Sequence, residues 1–188
     1  MKASQFEGTD NFNFCKLLAG SEGTLAFTTE IKISLDPLPD PIEIVVAAHF
    51  ESIHESMKSA QVAMKYPVTA VELMDKIILD CTKESIEYSK NRYFVEGDPK
   101  ALLMIEFRGK TLEEAMAKGE ALIADLKAAG YGYAYPIIEP EKVASAWALR
   151  AAGLGLLGNI PGDPKAVACI EDTAVDIEDL ADYIDELD

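Results

Sequence analysis

Ile42-Glu43-Ile44-Val45-Val46-Ala47-Ala48 opens the regular part of this 188-residue chain. Its β-branched residues favour an extended, pleated backbone, so it reads as a strand. Just before it stands Asp36-Pro37-Leu38-Pro39-Asp40-Pro41. Three prolines in five residues fix φ and remove backbone donors. Residues 37–41 therefore read as an extended linker, with a segment 1–36 before it and a domain 42–188 after it.

Beyond the first strand, strand-like and helical patterns alternate. Ile53, Met57, Ala60 and Met64 recur at three- and four-residue steps within 52–65, which is helical spacing. Residues 68–73 are strand-like, and 75–88 read as a helix through Ile77, Ile78, Cys81 and Ile86. An apolar strand is expected over 101–107. Thr111, with Glu114 three residues on, then has the form of a capping box. The helix it opens runs through Leu112, Ala115, Met116, Leu122, Ile123 and Leu126 to Gly130. Residues 131–138 form an aromatic strand pattern, Pro140 opens a helix through Arg150, and 165–170 and 176–187 read as a last strand and helix. Few strands and short connections, readable as two βαβ units, predict an α+β, ferredoxin-like domain. Its sheet is expected to be mainly antiparallel, with helices packed on one face. In front of the linker, Phe27, Thr29, Ile31, Ile33 and Leu35 alternate and predict one more strand.

Composition narrows the partners. The formal net charge is −16, and residues 171–188 contain nine carboxylates and no base. That balance argues against nucleic acid or an anionic membrane surface, which need clustered Lys and Arg. No apolar run approaches the ~20 residues of a membrane span, and no secretory signal pattern opens the chain. Cys15, Cys81 and Cys169 have no metal-like spacing and read as reduced, buried thiols of a cytoplasmic protein. His49 and His54 flank a strand-to-helix connection and read as capping or solvent-facing groups.

Two motifs bear on chemistry. Gly153-Leu154-Gly155-Leu156-Leu157-Gly158 matches GxGxxG, but it follows a helix and precedes a loop. A dinucleotide fingerprint must follow a strand and open a helix, so no nucleotide site is expected there. Arg150 falls on a stripe with Val143, Trp147 and Leu154. An arginine on a core-facing stripe needs a carboxylate partner or an anionic ligand; Glu171 or Asp172 could supply an internal pair, or the stem could snorkel to water.

Two further islands carry a family resemblance. Gly20-Ser21-Glu22-Gly23-Thr24-Leu25 is a glycine-punctuated turn that lets backbone approach a flat or charged ligand. Trp147-Ala148-Leu149-Arg150, Gly153-Leu154-Gly155-Leu156-Leu157, Pro161-Gly162-Asp163-Pro164-Lys165 and Glu171-Asp172-Thr173-Ala174-Val175 form the second. Over nearly its whole length the chain resembles the FAD-linked oxidases, the group that includes D-lactate, glycolate and D-2-hydroxyglutarate dehydrogenases. It is most similar to large bacterial members with an iron–sulfur module further along. The resemblance implies FAD as cofactor in an intact enzyme, with Ser21, Glu22, Gly23 and Thr24 beside it. It implies Arg150, and secondarily Lys165, as ligands of a 2-hydroxy acid carboxylate. Asp176 departs from the proline found in many relatives. Residues 1–36 then represent the end of the FAD-binding domain, and 42–188 the substrate-side cap. The family's paired-histidine motif is expected after the EDTAV region, outside this chain. The chain is thus expected to be truncated at both ends, inactive alone, without a retained flavin, and able to pair as a homodimer through exposed sheet edges. The rival reading is a free-standing α+β binding or dimerisation module without redox activity. The extent of the natural reading frame separates the two.

Overall fold

The structure is a computed structural model describing residues 14–83, 85–158, 160, 162–163 and 173–187. It divides into two units, 1–38 and 39–188. The first holds α1 (Phe14–Leu18). The second runs β1 (Ile42–Phe50), α2 (Ile53–Ala63), β2 (Val68–Asp75), α3 (Lys76–Lys83), a 3₁₀ turn (Ser89–Arg92), β3 (Ala101–Gly109), α4 (Leu112–Ala129), β4 (Ile137–Ile138), α5 (Pro140–Leu157) and α6 (Leu180–Leu187).

The strands make one sheet in the order β2-β3-β1-β4, antiparallel at every pairing. β3 lies between β1 and β2, which α2 connects, and β1 lies between β3 and β4, which α4 connects. Two split βαβ units are thereby interlocked in the ferredoxin-like arrangement. The α+β class and the antiparallel sheet are as the sequence predicts.

Helix placement differs from the expectation of one covered face. Ile44, Val46, Ala48 and Phe50 join Leu103, Ile105 and Phe107 in a core closed by Met57 and Ala60 of α2, Leu122 and Leu126 of α4, and Ala181 of α6. Val45, Ala47, Leu102, Met104 and Met74 face the opposite way. They pack on Leu79 of α3, Phe94, and Val143, Ala146 and Leu149 of α5. The physical reason lies in β1 and β3, which are apolar at both parities. A strand without polar alternation leaves two apolar faces, and both must be removed from water.

Local signals account for the element ends. Ser52 Oγ accepts the Glu55 N–H at 3.1 Å to cap α2. Thr111 Oγ1 accepts the Glu114 N–H at 3.2 Å to cap α4. The Glu114 carboxylate, however, accepts the N–H of Lys110 (3.0 Å), one residue before the cap. Gly130 ends α4 at φ 75°, a left-handed conformation that favours glycine. Asp75 Oδ1 accepts the Ile78 N–H at 2.8 Å at the start of α3.

Three expected elements are corrected. α3 stops at Lys83, and Ile86, expected on its buried face, is fully exposed. The 131–138 strand shrinks to Ile137–Ile138 plus an isolated bridge between His49 and Ala134. There Gly132 has φ 79° and the Tyr135 hydroxyl donates to the carbonyls of Tyr131 and Gly132, so the chain curls out of the ladder. No strand forms over 27–35. Phe27 is 92% exposed and Leu35 83%, and alternation without a paired neighbour does not hold a strand. The strand expected at 165–170 lies outside the described residues. The C-terminal helix is present: Gln61 Nε2 of α2 donates to the carbonyls of Ile177 (3.0 Å) and Glu178 (3.2 Å), and Ile177, Leu180 and Ile184 pack on the core.

Ile105 is fully buried at the centre of β3. Ile105→Ala is expected to lower unfolding free energy by about 3 kcal/mol, against less than about 0.5 for Ile86→Ala. Urea denaturation of the purified variants checks both values.

Candidate functional site

Arg150 leaves α5 just off its buried side. The residues that α5 buries are Val143, Ala146, Leu149, Gly153 and Leu156. The expected core stripe through Arg150 is therefore displaced by one residue. Trp147 is only partly buried, the side chain of Leu154 lies outside the description, and Arg150 is 46% exposed. The expected partners Glu171 and Asp172 also lie outside the described residues. Arg150 Nη2 instead donates to Glu72 Oε2 of β2 at 2.6 Å. A recess of about 280 Å³ adjoins the pair, lined by Leu73, Met74, Ile78, Arg150, Ala151 and Leu157. Its walls are mostly apolar, with the guanidinium as the cationic group.

A second ion network fixes α5 one turn earlier. Trp147 Nε1 donates to Glu43 Oε1 at 3.0 Å. Glu43 of β1 is in register with Arg108 of β3. Arg108 Nη2 meets Glu43 Oε2 at 2.6 Å, its Nε meets Glu106 Oε1 at 2.7 Å, and Thr69 donates to Glu106 Oε1 at 2.7 Å. Glu106 is 8% exposed. Two carboxylates thus share one guanidinium at this end of the sheet, and buried charge is tolerable only when paired this closely. Glu43, Thr69, Glu106, Arg108 and Glu72 were not singled out from the sequence. The available signal was an acidic side chain inside each apolar run: Glu43, Glu72 and Glu106.

The Ser21-Glu22-Gly23-Thr24 turn belongs to the 1–38 unit. Thr24 N–H donates to the Ser21 carbonyl at 2.9 Å, and Thr24 Oγ1 donates to the same oxygen at 2.6 Å. Glu22 (φ 51°) and Gly23 (φ 76°) are both left-handed, as in a type I′ turn. A Cβ added at Gly20 or Gly23 would meet no chain atom within 4 Å. The glycines here serve backbone conformation, and their surface is open. Lys165 lies outside the described residues.

The histidines behave differently from one another. His54 is half-exposed, and its Nδ1 lies 2.6 Å from Asp185 Oδ2 of α6, in keeping with a solvent-facing group. His49 corrects the same expectation. It is fully buried on β1, with its ring edge-on to Tyr133. The Glu96 N–H points at His49 Nε2 (3.0 Å), which makes Nε2 the acceptor. Nδ1 therefore carries the proton and donates to the Ala47 carbonyl at 2.9 Å. Burial pushes its pKa below the ordinary 6.5, opposed by the Ala47 bond and the charge of Glu96.

Cys15 is exposed rather than buried, Cys81 is half-buried, and Cys169 lies outside the described residues. Among the described residues no group of three His, Cys, Asp or Glu could hold a metal, and no helix is long and apolar enough to cross a membrane. The glycine motif begins inside a helix, rather than after one as its sequence context suggested. Gly153 and Gly155 lie inside α5 and Gly158 caps its end, with no strand leading into them.

The 39–188 unit is thus a split-βαβ domain with helices on both faces of one antiparallel sheet. Residues 41–188 match the family described as FAD linked oxidases, C-terminal domain, and the chain belongs to that family. Among curated proteins it is similar to the D-2-hydroxyglutarate dehydrogenase of Haemophilus influenzae, 31% identical over 193 residues, covering 96% of this chain. The enzymes of that name from Escherichia coli (strain K12) and Pantoea ananatis are 30% and 28% identical, each covering 93% of this chain. The chain spans 18% of the length of each of these relatives.

Arg108→Ala strands Glu106 and Glu43 without their cation and is expected to lower stability by about 2 kcal/mol; Arg150→Ala, in a half-exposed pair, costs less than about 1 kcal/mol. Denaturation titrations distinguish them. Because the folded pKa of His49 is depressed, its contribution is complete above the unfolded pKa of 6.5 and is lost as pH falls through the folded value. Stability measured from about pH 7 down to about pH 5 should therefore fall more steeply in the native chain than in His49→Gln. Equal slopes would exclude His49 as the cause.

Proposed function

We propose that this chain is the substrate-side part of an FAD-dependent dehydrogenase that oxidises a D-2-hydroxy acid to the 2-keto acid. Residues 1–36 are the end of its flavin-binding domain, 37–41 a linker and 42–188 the cap. The single observation carrying the reading is the family match over 41–188, with relatives named for D-2-hydroxyglutarate. Bound FAD would supply the two-electron acceptor for the substrate's C2 hydrogen. Ser21, Glu22, Gly23 and Thr24 fit contact with one edge of such a group, because the turn is tight and its two glycine positions are open. They do not enclose it, so the rest of the site belongs to the remainder of the polypeptide. That remainder, with an iron–sulfur module beyond the cap, is the partner we assign, and a homodimer and a cytoplasmic location belong to the same reading.

Arg150 is the substrate ligand in this reading, with Lys165 as a second. A planar guanidinium receives a carboxylate through two parallel N–H bonds, which fixes the acid's orientation as well as its charge. In a chain of net charge −16, such a local cation is what makes an anionic substrate acceptable. The recess beside Arg150, walled mostly by apolar side chains, gives the carbon skeleton of such an acid a place next to the guanidinium.

The test is steady-state kinetics on the full-length flavoenzyme with D-2-hydroxyglutarate. Arg150→Ala is expected to raise KM roughly 10- to 100-fold or abolish turnover. Unchanged kinetics would remove Arg150 from the site.

A further inference from the structure

We propose that Glu72 is the positioning residue for Arg150, holding its guanidinium in the orientation that receives the substrate carboxylate; this rests on the reading of Arg150 given above. Nearly half of the Arg150 side chain is exposed, and the adjoining recess of about 280 Å³ leaves its stem room to turn. Packing therefore does not select one rotamer of this long side chain. The 2.6 Å bond from Nη2 to Glu72 Oε2 does. Glu72 is a firm anchor because β2 is laddered to β3, where Glu72 is in register with Met104.

One carboxylate does not exhaust an arginine. The guanidinium has five N–H donors in one plane, so it can serve Glu72 and a second carboxylate together. Glu72 thus fixes the plane, and a substrate carboxylate meets a donor pair already oriented. Misplacement by about an ångström at such a contact is enough to cost binding heavily. The pair also lies 38–46% exposed, where ion pairs contribute little to folding. A positioning role and a structural role therefore give different readouts: the first appears in KM, the second in the melting temperature.

The experiment compares Glu72→Ala, Glu72→Gln, Arg150→Ala and the Glu72→Ala/Arg150→Ala double variant of the full-length flavoenzyme, with D-2-hydroxyglutarate as substrate and thermal melting alongside. Glu72→Ala is expected to raise KM about tenfold, with kcat within about threefold and Tm within about 2 °C. Glu72→Gln, which keeps an oxygen acceptor, should fall between Glu72→Ala and the native enzyme. The double variant should be no worse than Arg150→Ala alone, because the two residues act through one contact. The proposal is overturned by an unchanged KM in Glu72→Ala beside a raised KM in Arg150→Ala, which leaves Arg150 in the site without Glu72. Additive effects in the double variant, or a fall in Tm that accompanies every kinetic loss, overturn it as well. If Arg150→Ala itself leaves KM unchanged, the substrate reading fails first and takes this proposal with it.

Discussion

The double-sided burial of β1 and β3 is the constraint from which the rest of the 39–188 unit follows. Ile44-Val45-Val46-Ala47 and Leu102-Leu103-Met104-Ile105 alternate in direction but not in polarity, so each strand presents hydrocarbon to both sides of the sheet. The βαβ crossovers supply α2 and α4 for one face. The other needs helices from outside the crossovers, and α3 and α5 provide them. Without α5 on that face, Val45, Met104 and Ile138 would meet water, at a cost near 25 cal/mol for each square ångström of apolar surface.

Burial of that second face also determines the chemistry available. Once Val143, Ala146 and Leu149 commit α5 to the sheet, Trp147 reaches Glu43 and Arg150 reaches Glu72. The two contacts differ in kind. Glu43 belongs to a network with Arg108 and the nearly buried Glu106, where every charge has a close partner and a lost partner is costly. Glu72 and Arg150 sit half in water beside a recess. The first network ties α5 to the sheet through Trp147 and Glu43, while the second leaves the Arg150 guanidinium partly open to solvent.

How far the site was legible depended on whether its signal was local. The tight turn at Ser21–Glu22–Gly23–Thr24 could be read from its glycines, and the left-handed φ values of Gly20 and Gly23 show the conformation those glycines permit, which Glu22 between them also adopts. Arg150 was legible as a residue requiring an anion, but the stripe that carried it was misjudged by one position. Helical spacing tolerates two neighbouring stripes, and only packing against Leu79 and Met104 decides between them. His49 was misread for a related reason. A lone histidine beside a helix start looks exposed, whereas burial here follows from the Glu96 N–H and the Ala47 carbonyl satisfying both ring nitrogens.

The sequence by itself determined the alternation of strands and helices over 42–130, the cap at Thr111 and the stop at Gly130. Each depends on residues within a few positions of one another, where backbone sterics and side-chain hydrogen bonds act directly. Tertiary structure alone decided which helices cover each sheet face, that the alternating 27–35 segment stays unpaired, and that Arg150 meets Glu72. Those outcomes depend on groups far apart in the chain, 78 residues in the case of Arg150 and Glu72. No local preference can specify such a pair, because it exists only after the sheet has brought β2 beneath the end of α5.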